Sequence, residues 1–166
     1  VTWGEGKKII IWSKKFDKTD LILVDNTKPI KVVKTLNDGR LIAGTFKEMK
    51  IFNNTNNFQV NYILKEIINN VTDIINLDDG KIVCGSYREL KIYNMTWNSG
   101  YKASKTIKEH TSWVTSLIKL NGKRFASSSE DCLILIYDYN IKCIRKIHFK
   151  FPITFLCNQT NNDIIY

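Results

Sequence analysis

Proline and glycine are scarce in this 166-residue chain, at two and eight, which excludes collagen-like and low-complexity sequences. Long hydrophobic runs are missing as well. The longest, residues 132–137, reaches six residues, far short of the roughly 20 that a membrane-spanning helix needs. Arginine is rare, at 4 against 21 lysines. The planar guanidinium is the group that reads phosphates and guanine edges bidentately, so lysine without arginine is weak evidence for a phosphate partner. The formal charge of +9 accompanies 17 Asn and 24 Ile, a pattern that reads as compositional bias towards Ile, Lys and Asn. Apolar residues at 43% and charged residues at 25% exclude intrinsic disorder and match a folded globular chain.

The four cysteines, Cys84, Cys132, Cys143 and Cys157, include no Cys-x-x-Cys pair, and no histidine stands at metal-ligand spacing. No metal and no cofactor are expected. Asn-x-Ser/Thr sequons at Asn53, Asn70, Asn94 and Asn158 are what so Asn-rich a chain supplies by chance, and are read as unmodified. The first residue is Val, not Met, which predicts a piece of a longer chain. With no apolar leader, a reduced cytoplasmic or nuclear setting is expected.

Self-comparison finds a repeat. Residues 30–53 overlay residues 71–94 at a constant offset of 41, through Asp38-Gly39 and Asp79-Gly80, Ala43-Gly44 and Cys84-Gly85, Glu48 and Glu89, and Lys50-Ile51-Phe52 and Lys91-Ile92-Tyr93. A third copy starts at Val114 with small length changes in its turns. Each copy reads as short strands. In the second, 71–77 is β-branched and partly alternating, Asp79-Gly80 is a hairpin signal, and 81–86 is the return strand. A turn near Arg88-Glu89 leads to Leu90-Lys91-Ile92-Tyr93, whose alternation predicts a half-buried strand, and 101–107 supplies a fourth, edge strand. The chain ends fit the same register: a strand end at 1–3, a turn at 4–6 and a strand at 8–12 open it, and a strand at 153–157, a turn at 158–162 and a strand from Asp163 close it. The expected fold is all-β, with β-propeller blades of four-stranded antiparallel sheets. About four blades' worth is present, three complete and two half: 1–25 partial, 26–66, 67–108, 109–150 and 151–166 partial. An open arc is expected in preference to a closed four-bladed ring.

The third copy, residues 109–138, resembles a WD-repeat (WD40) blade: His110 matches the His of the family's Gly-His, Asp131 its turn Asp, and Tyr137-Asp138 its Trp-Asp pair. The resemblance implies a buried relay of His110, Asp131, a strand hydroxyl from Ser127 or Ser129, and Tyr137. Tyr137 offers a hydroxyl where the family has an indole N–H, so the relay is expected to be rearranged or incomplete. The other copies are degenerate: they lack the His and the turn Asp, and carry Phe52-Asn53 and Tyr93-Asn94 in place of Trp-Asp, while the first partial blade keeps Trp12.

Material for catalysis is poor. No hydrolase, P-loop, zinc-protease or dinucleotide motif occurs, and the two histidines, His110 and His148, have structural readings, so no enzymatic role is expected. Propellers act through their faces. The resemblance implies a non-catalytic scaffold that binds protein or peptide partners on one loop face. Loops before the first strands would present Thr27, Pro29, Ile68, Asn70, Thr111 and Trp113, and turns between second and third strands would add Phe46, Lys47, Tyr87, Arg88 and Glu130. The competing role has Trp113 packed on its own blade and Phe46 filling the next, with Trp97 capping an outer edge. Lysines 47, 50, 81, 91, 119 and 123 are expected to spread around blade edges. The alternative is a basic propeller that binds RNA or anionic phospholipid through Lys142, Arg145, Lys146 and Lys150, though strand alternation alone would also expose Lys146, His148 and Lys150.

Overall fold

The computed structural model describes residues 1–3, 8–12, 19–23, 28–54, 58–67, 69–94, 102–158 and 164–165. The protein is all-β and divides into two compact units, Val1–Val71 and Thr72–Tyr166. The expected turn at 4–6, residues 159–162 of the expected turn at 158–162, Thr27, Ile68, Trp97 and Asp163 lie outside the described residues, and Asn158 closes a short strand instead of opening that turn. Among those residues, no helix is long and apolar enough to cross a membrane.

The first unit holds two antiparallel sheets in chain order. One contains β1 (Thr2–Trp3), β2 (Ile9–Trp12) and β3 (Thr19–Leu23); the other contains β4 (Val32–Thr35), β5 (Leu41–Gly44), β6 (Met49–Phe52) and β7 (Val60–Leu64). The second unit repeats the four-stranded meander twice. Its sheets are β8 (Asp73–Asn76), β9 (Ile82–Gly85), β10 (Leu90–Asn94) and β11 (Lys102–Ile107), then β12 (Val114–Leu120), β13 (Arg124–Ser129), β14 (Leu133–Asp138) and β15 (Cys143–His148). A short pair, β16 (Cys157–Asn158) and β17 (Ile164–Ile165), follows.

Asp-Gly makes the first hairpin of each early repeat. Gly39 and Gly80 take φ of +84° and +85°, a region where a Cβ is strained, and their amides donate to Leu36 and Leu77 carbonyls at 2.9 and 3.0 Å. The preceding aspartates cap the turns, with Asp38 Oδ1 accepting the Arg40 amide at 3.1 Å and Asp79 Oδ1 the Lys81 amide at 3.2 Å.

A second repeating device is absent from the sequence pattern. In the last strand pairing of each of these four sheets, β2–β3, β6–β7, β10–β11 and β14–β15, the register slips by one residue, after Ile11, Ile51, Ile92 and Ile136. The slip sets an aromatic residue opposite a smaller one: Trp12 faces Thr19, Phe52 faces Val60, Tyr93 faces Ala103 and Tyr137 faces Cys143. The bulge adds local twist to the outer strand beside the large ring, which is buried in Phe52, Tyr93 and Tyr137 and half-buried in Trp12.

Alternation in the last full sheet sorts its side chains into two layers. Phe125, Leu135 and Tyr137 join Ile75, Leu77, Val83, Leu90 and Ile92 in one core, while Ala126, Ile134 and Ile136 join Ile153 and Leu156 in another. Phe125 and Tyr137 stack with ring centroids 5.0 Å apart, worth roughly 0.5–1.5 kcal/mol beyond burial. In the first unit Ile9, Ile30, Val33, Leu41, Ala43 and Phe52 form the corresponding layer.

Three expectations need correction. Leu90–Tyr93 is not half-buried: Leu90, Ile92 and Tyr93 are all buried, and its counterpart Lys50 is only 5% exposed, so these third strands are interior and Lys50 decorates no blade edge. The strand expected at 153–157 shrinks to Cys157–Asn158. Backbone groups of Ile153 are already engaged, its amide donating to Ser129 O at 3.3 Å and its carbonyl accepting Thr115 Oγ1 at 2.7 Å, so a ladder cannot start there. Finally, the opening strand begins at Ile9, not Lys8; the fourth strand of the second repeat is described from Lys102, and Tyr101, where it was expected to start, lies outside the described residues.

Candidate functional site

His110 is buried beside β13, its ring held from both sides. Nδ1 lies 2.9 Å from Asp131 Oδ2, and Nε2 lies 2.8 Å from Ser127 Oγ. A carboxylate can only accept, so a neutral imidazole places its proton on Nδ1 and accepts the Ser127 hydroxyl at Nε2. Asp131 also accepts the amides of Thr111 at 2.7 Å and Leu133 at 3.1 Å. The cluster thereby ties the segment before β12 to the β13–β14 turn. Burial is the largest influence on both titrations. It holds His110 below its ordinary pKa against the pull of Asp131. In Asp131 burial pushes upward but is outweighed by the Thr111, His110 and Leu133 hydrogen bonds, which leave the carboxyl lowered.

Ser129 contributes differently from Ser127: its Oγ accepts the Asp131 amide at 3.2 Å. Tyr137 does not join them. Its buried hydroxyl makes no hydrogen bond of acceptable geometry among the described residues. Burial, with Glu109 second, pushes its pKa far up. The Ser127–His110–Asp131 connectivity is that of a nucleophilic triad, but Ser127 is 0% and His110 3% exposed, so no substrate atom reaches Oγ in this arrangement.

Two turns carry the predicted loop-face residues. In the first unit the Phe46 backbone pairs with Asn70, and Lys47 N and Val71 N donate to Asn69 O and Thr45 O, both at 3.1 Å. Phe46 is 42% exposed, with the ammonium groups of Lys47 and Lys28 at 5.0 and 6.0 Å from its ring. In the second unit the Tyr87 backbone pairs with Trp113, and Arg88 N and Val114 N donate to Ser112 O at 3.0 Å and Ser86 O at 3.1 Å. The Tyr87 and Trp113 rings lie 5.0 Å apart at 55°, with the Arg88 guanidinium 6.0 Å from Tyr87. Glu130 N donates to Trp113 O at 3.0 Å. The second unit thus assembles Tyr87, Arg88, Thr111, Trp113 and Glu130; the first assembles Phe46, Lys47 and Asn70, with Pro29 half-buried nearby in sequence. Trp113 packs on the Tyr87 turn of the preceding sheet, and Phe46 stays exposed in place of filling a neighbour.

Sequence reading missed Lys28, which donates to Phe46 O at 3.0 Å and pairs with Glu48 at 3.5 Å, and Ser112, which donates from Oγ to Glu130 Oε2 at 3.0 Å. Neither recurs in the repeat, which is the signal that found the others. On β15 and beyond, Lys142, Arg145, Lys146, His148 and Lys150 are all exposed, while Ile147 and Phe149 pack inward. Lys146 is paired with Glu109 at 2.9 Å. Among the described residues no group of acidic, histidine and cysteine side chains is arranged to hold a metal ion. No protein-family model matches the chain, and no curated protein matches it.

Proposed function

We propose that this chain is a stretch of a WD-repeat β-propeller that serves as a non-catalytic scaffold, binding protein or peptide partners through its loop face. The observation that carries the reading is the repeated presentation of an exposed aromatic beside a cation, Phe46-Lys47 and Tyr87-Arg88, on turns fixed by the same backbone bonds. Aromatic and arginine side chains dominate interface energetics when a partner covers them. The three four-stranded meanders and the His110–Ser127–Asp131 cluster support the family assignment. Four free cysteines suit a reducing cytoplasmic or nuclear setting. The test is alanine substitution of Trp113, Tyr87 and Arg88 together, followed by affinity capture: partners held by the parent chain are lost. Retention of every partner overturns the reading.

The exposed row Lys142, Arg145, Lys146 and Lys150 favours the second reading, a basic surface for RNA or anionic phospholipid. That surface would lose affinity steeply with salt as counterions are released, whereas an interface built on Trp113 and Tyr87 would not.

A further inference from the structure

We infer that the Tyr87–Trp113 ridge of the second unit docks a peptide whose side chains run acidic, apolar, basic, an inference that rests on the loop-face reading above. Ser112 is bracketed by opposite charges. Its carbonyl accepts the Arg88 amide at 3.0 Å, and its hydroxyl donates to Glu130 Oε2 at 3.0 Å. Both charged residues are exposed, and no ion pair joins them to each other or to another described residue. The Arg88 guanidinium lies against Tyr87, the Tyr87 ring against Trp113, and Glu130 beside Trp113 through its backbone amide, so the neighbours run cation, two tilted rings, carboxylate.

Each part selects a chemistry. The Arg88 guanidinium, placed over the Tyr87 ring, has planar paired donors that match a carboxylate bidentately. Tyr87, 39% exposed, and the half-buried Trp113 offer rigid apolar area that costs little side-chain entropy to cover. The Ser112 bond fixes the Glu130 carboxylate through one oxygen and leaves the other for an ammonium group. Opposite charges at the two ends impose a direction on the peptide and repel chains of uniform sign, polyphosphates included. The corresponding turn of the first unit lacks this polarity, since Phe46 is flanked by Lys28 and Lys47 and Glu48 is buried.

The test is fluorescence anisotropy of the full chain with a labelled octapeptide, Gly-Glu-Gly-Leu-Leu-Gly-Lys-Gly, against its charge-reversed twin with Lys and Glu exchanged. One peptide orientation binds at least about tenfold more tightly than random-order controls of the same composition. Replacing both peptide charges by Gln removes that advantage, as does the R88E substitution. Restoring attraction by pairing R88E with a Glu-to-Lys peptide recovers it. Equal affinity for charged and Gln peptides on the unaltered chain overturns the inference without involving any variant's folding, as does a uridine dodecanucleotide outcompeting every peptide. If W113A leaves peptide binding unchanged while captured partners also survive the triple alanine substitution, the loop-face reading itself has failed.

Discussion

The carboxylate of Asp73 in β8 accepts the backbone amide of Leu117 in β12 at 2.8 Å, joining two neighbouring sheets of the second unit through a buried charge-assisted bond. Its other oxygen accepts the Ile74 amide at 2.8 Å, and Ser116 Oγ stands at 3.5 Å. The bulge after Val114 in β12 interrupts the ladder just before these residues. Replacing Asp73 by Ala orphans buried amides and is expected to cost about 2–3 kcal/mol, while Asn, which keeps an acceptor, costs less. Urea unfolding of both variants checks the order; an Asn variant as damaged as the Ala variant would show that the charge, not the acceptor, matters.

That contact explains where sequence reading succeeds and stops. Turns are local, so Asp79-Gly80 announces both a left-handed glycine and an aspartate cap, and the period of 41 follows from repeated turns. Asp73 belongs to no pattern: Val32 and Ser116 occupy its place in the other copies. The bulges opposite Phe52, Tyr93 and Tyr137 were equally hidden, because pairing register between strands depends on partners that composition does not name. At the candidate site His110, Ser127 and Asp131 were legible through a family resemblance, whereas the failure of Tyr137 to join depends on where its hydroxyl is placed in three dimensions, which no sequence pattern reports.

Gly85 marks a close approach between sheets of the second unit. A Cβ built there would stand 2.7 Å from Val114 Cγ1 and 3.2 Å from Thr72 Oγ1, and Gly44 in the first unit meets Val71 Cγ1 at 2.5 Å. The extra methyl must displace β12, so Gly85→Ala is expected to destabilise by about 1–3 kcal/mol. Adding Val114→Ala makes room, and the pair should cost less than the sum of the two single changes. A strictly additive double-mutant cycle would count against the clash.

Tyr137 carries its buried hydroxyl without a partner among the described residues, while its ring stacks on Phe125. Phenylalanine keeps the stacking and removes an unsatisfied polar atom. Tyr137→Phe is therefore expected to raise stability by about 1 kcal/mol. Thermal unfolding measures it, and a loss of similar size would mean that the hydroxyl does take part in the His110 cluster.

Acid should act on the same cluster in two stages. Burial, outweighing Asp131, lowers the folded pKa of His110 below the ordinary 6.5, so at lower pH the unfolded chain binds a proton more readily than the folded one. Stability from this residue is complete above 6.5 and is lost as pH falls through the folded pKa, with a slope of at most about 1.4 kcal/mol per pH unit for one proton. Asp131, lowered from 3.8 by its hydrogen bonds, gives way later, below that value. Urea midpoints should then decline between pH 6.5 and 5 in the parent chain and stay level there in His110→Gln, whose absolute stability is lower throughout. The His110 Cε1 proton resonance gives the same answer without a variant. A midpoint above 6.5 would reverse the sign of the coupling and mean that the Asp131 bond, not burial, governs the ring.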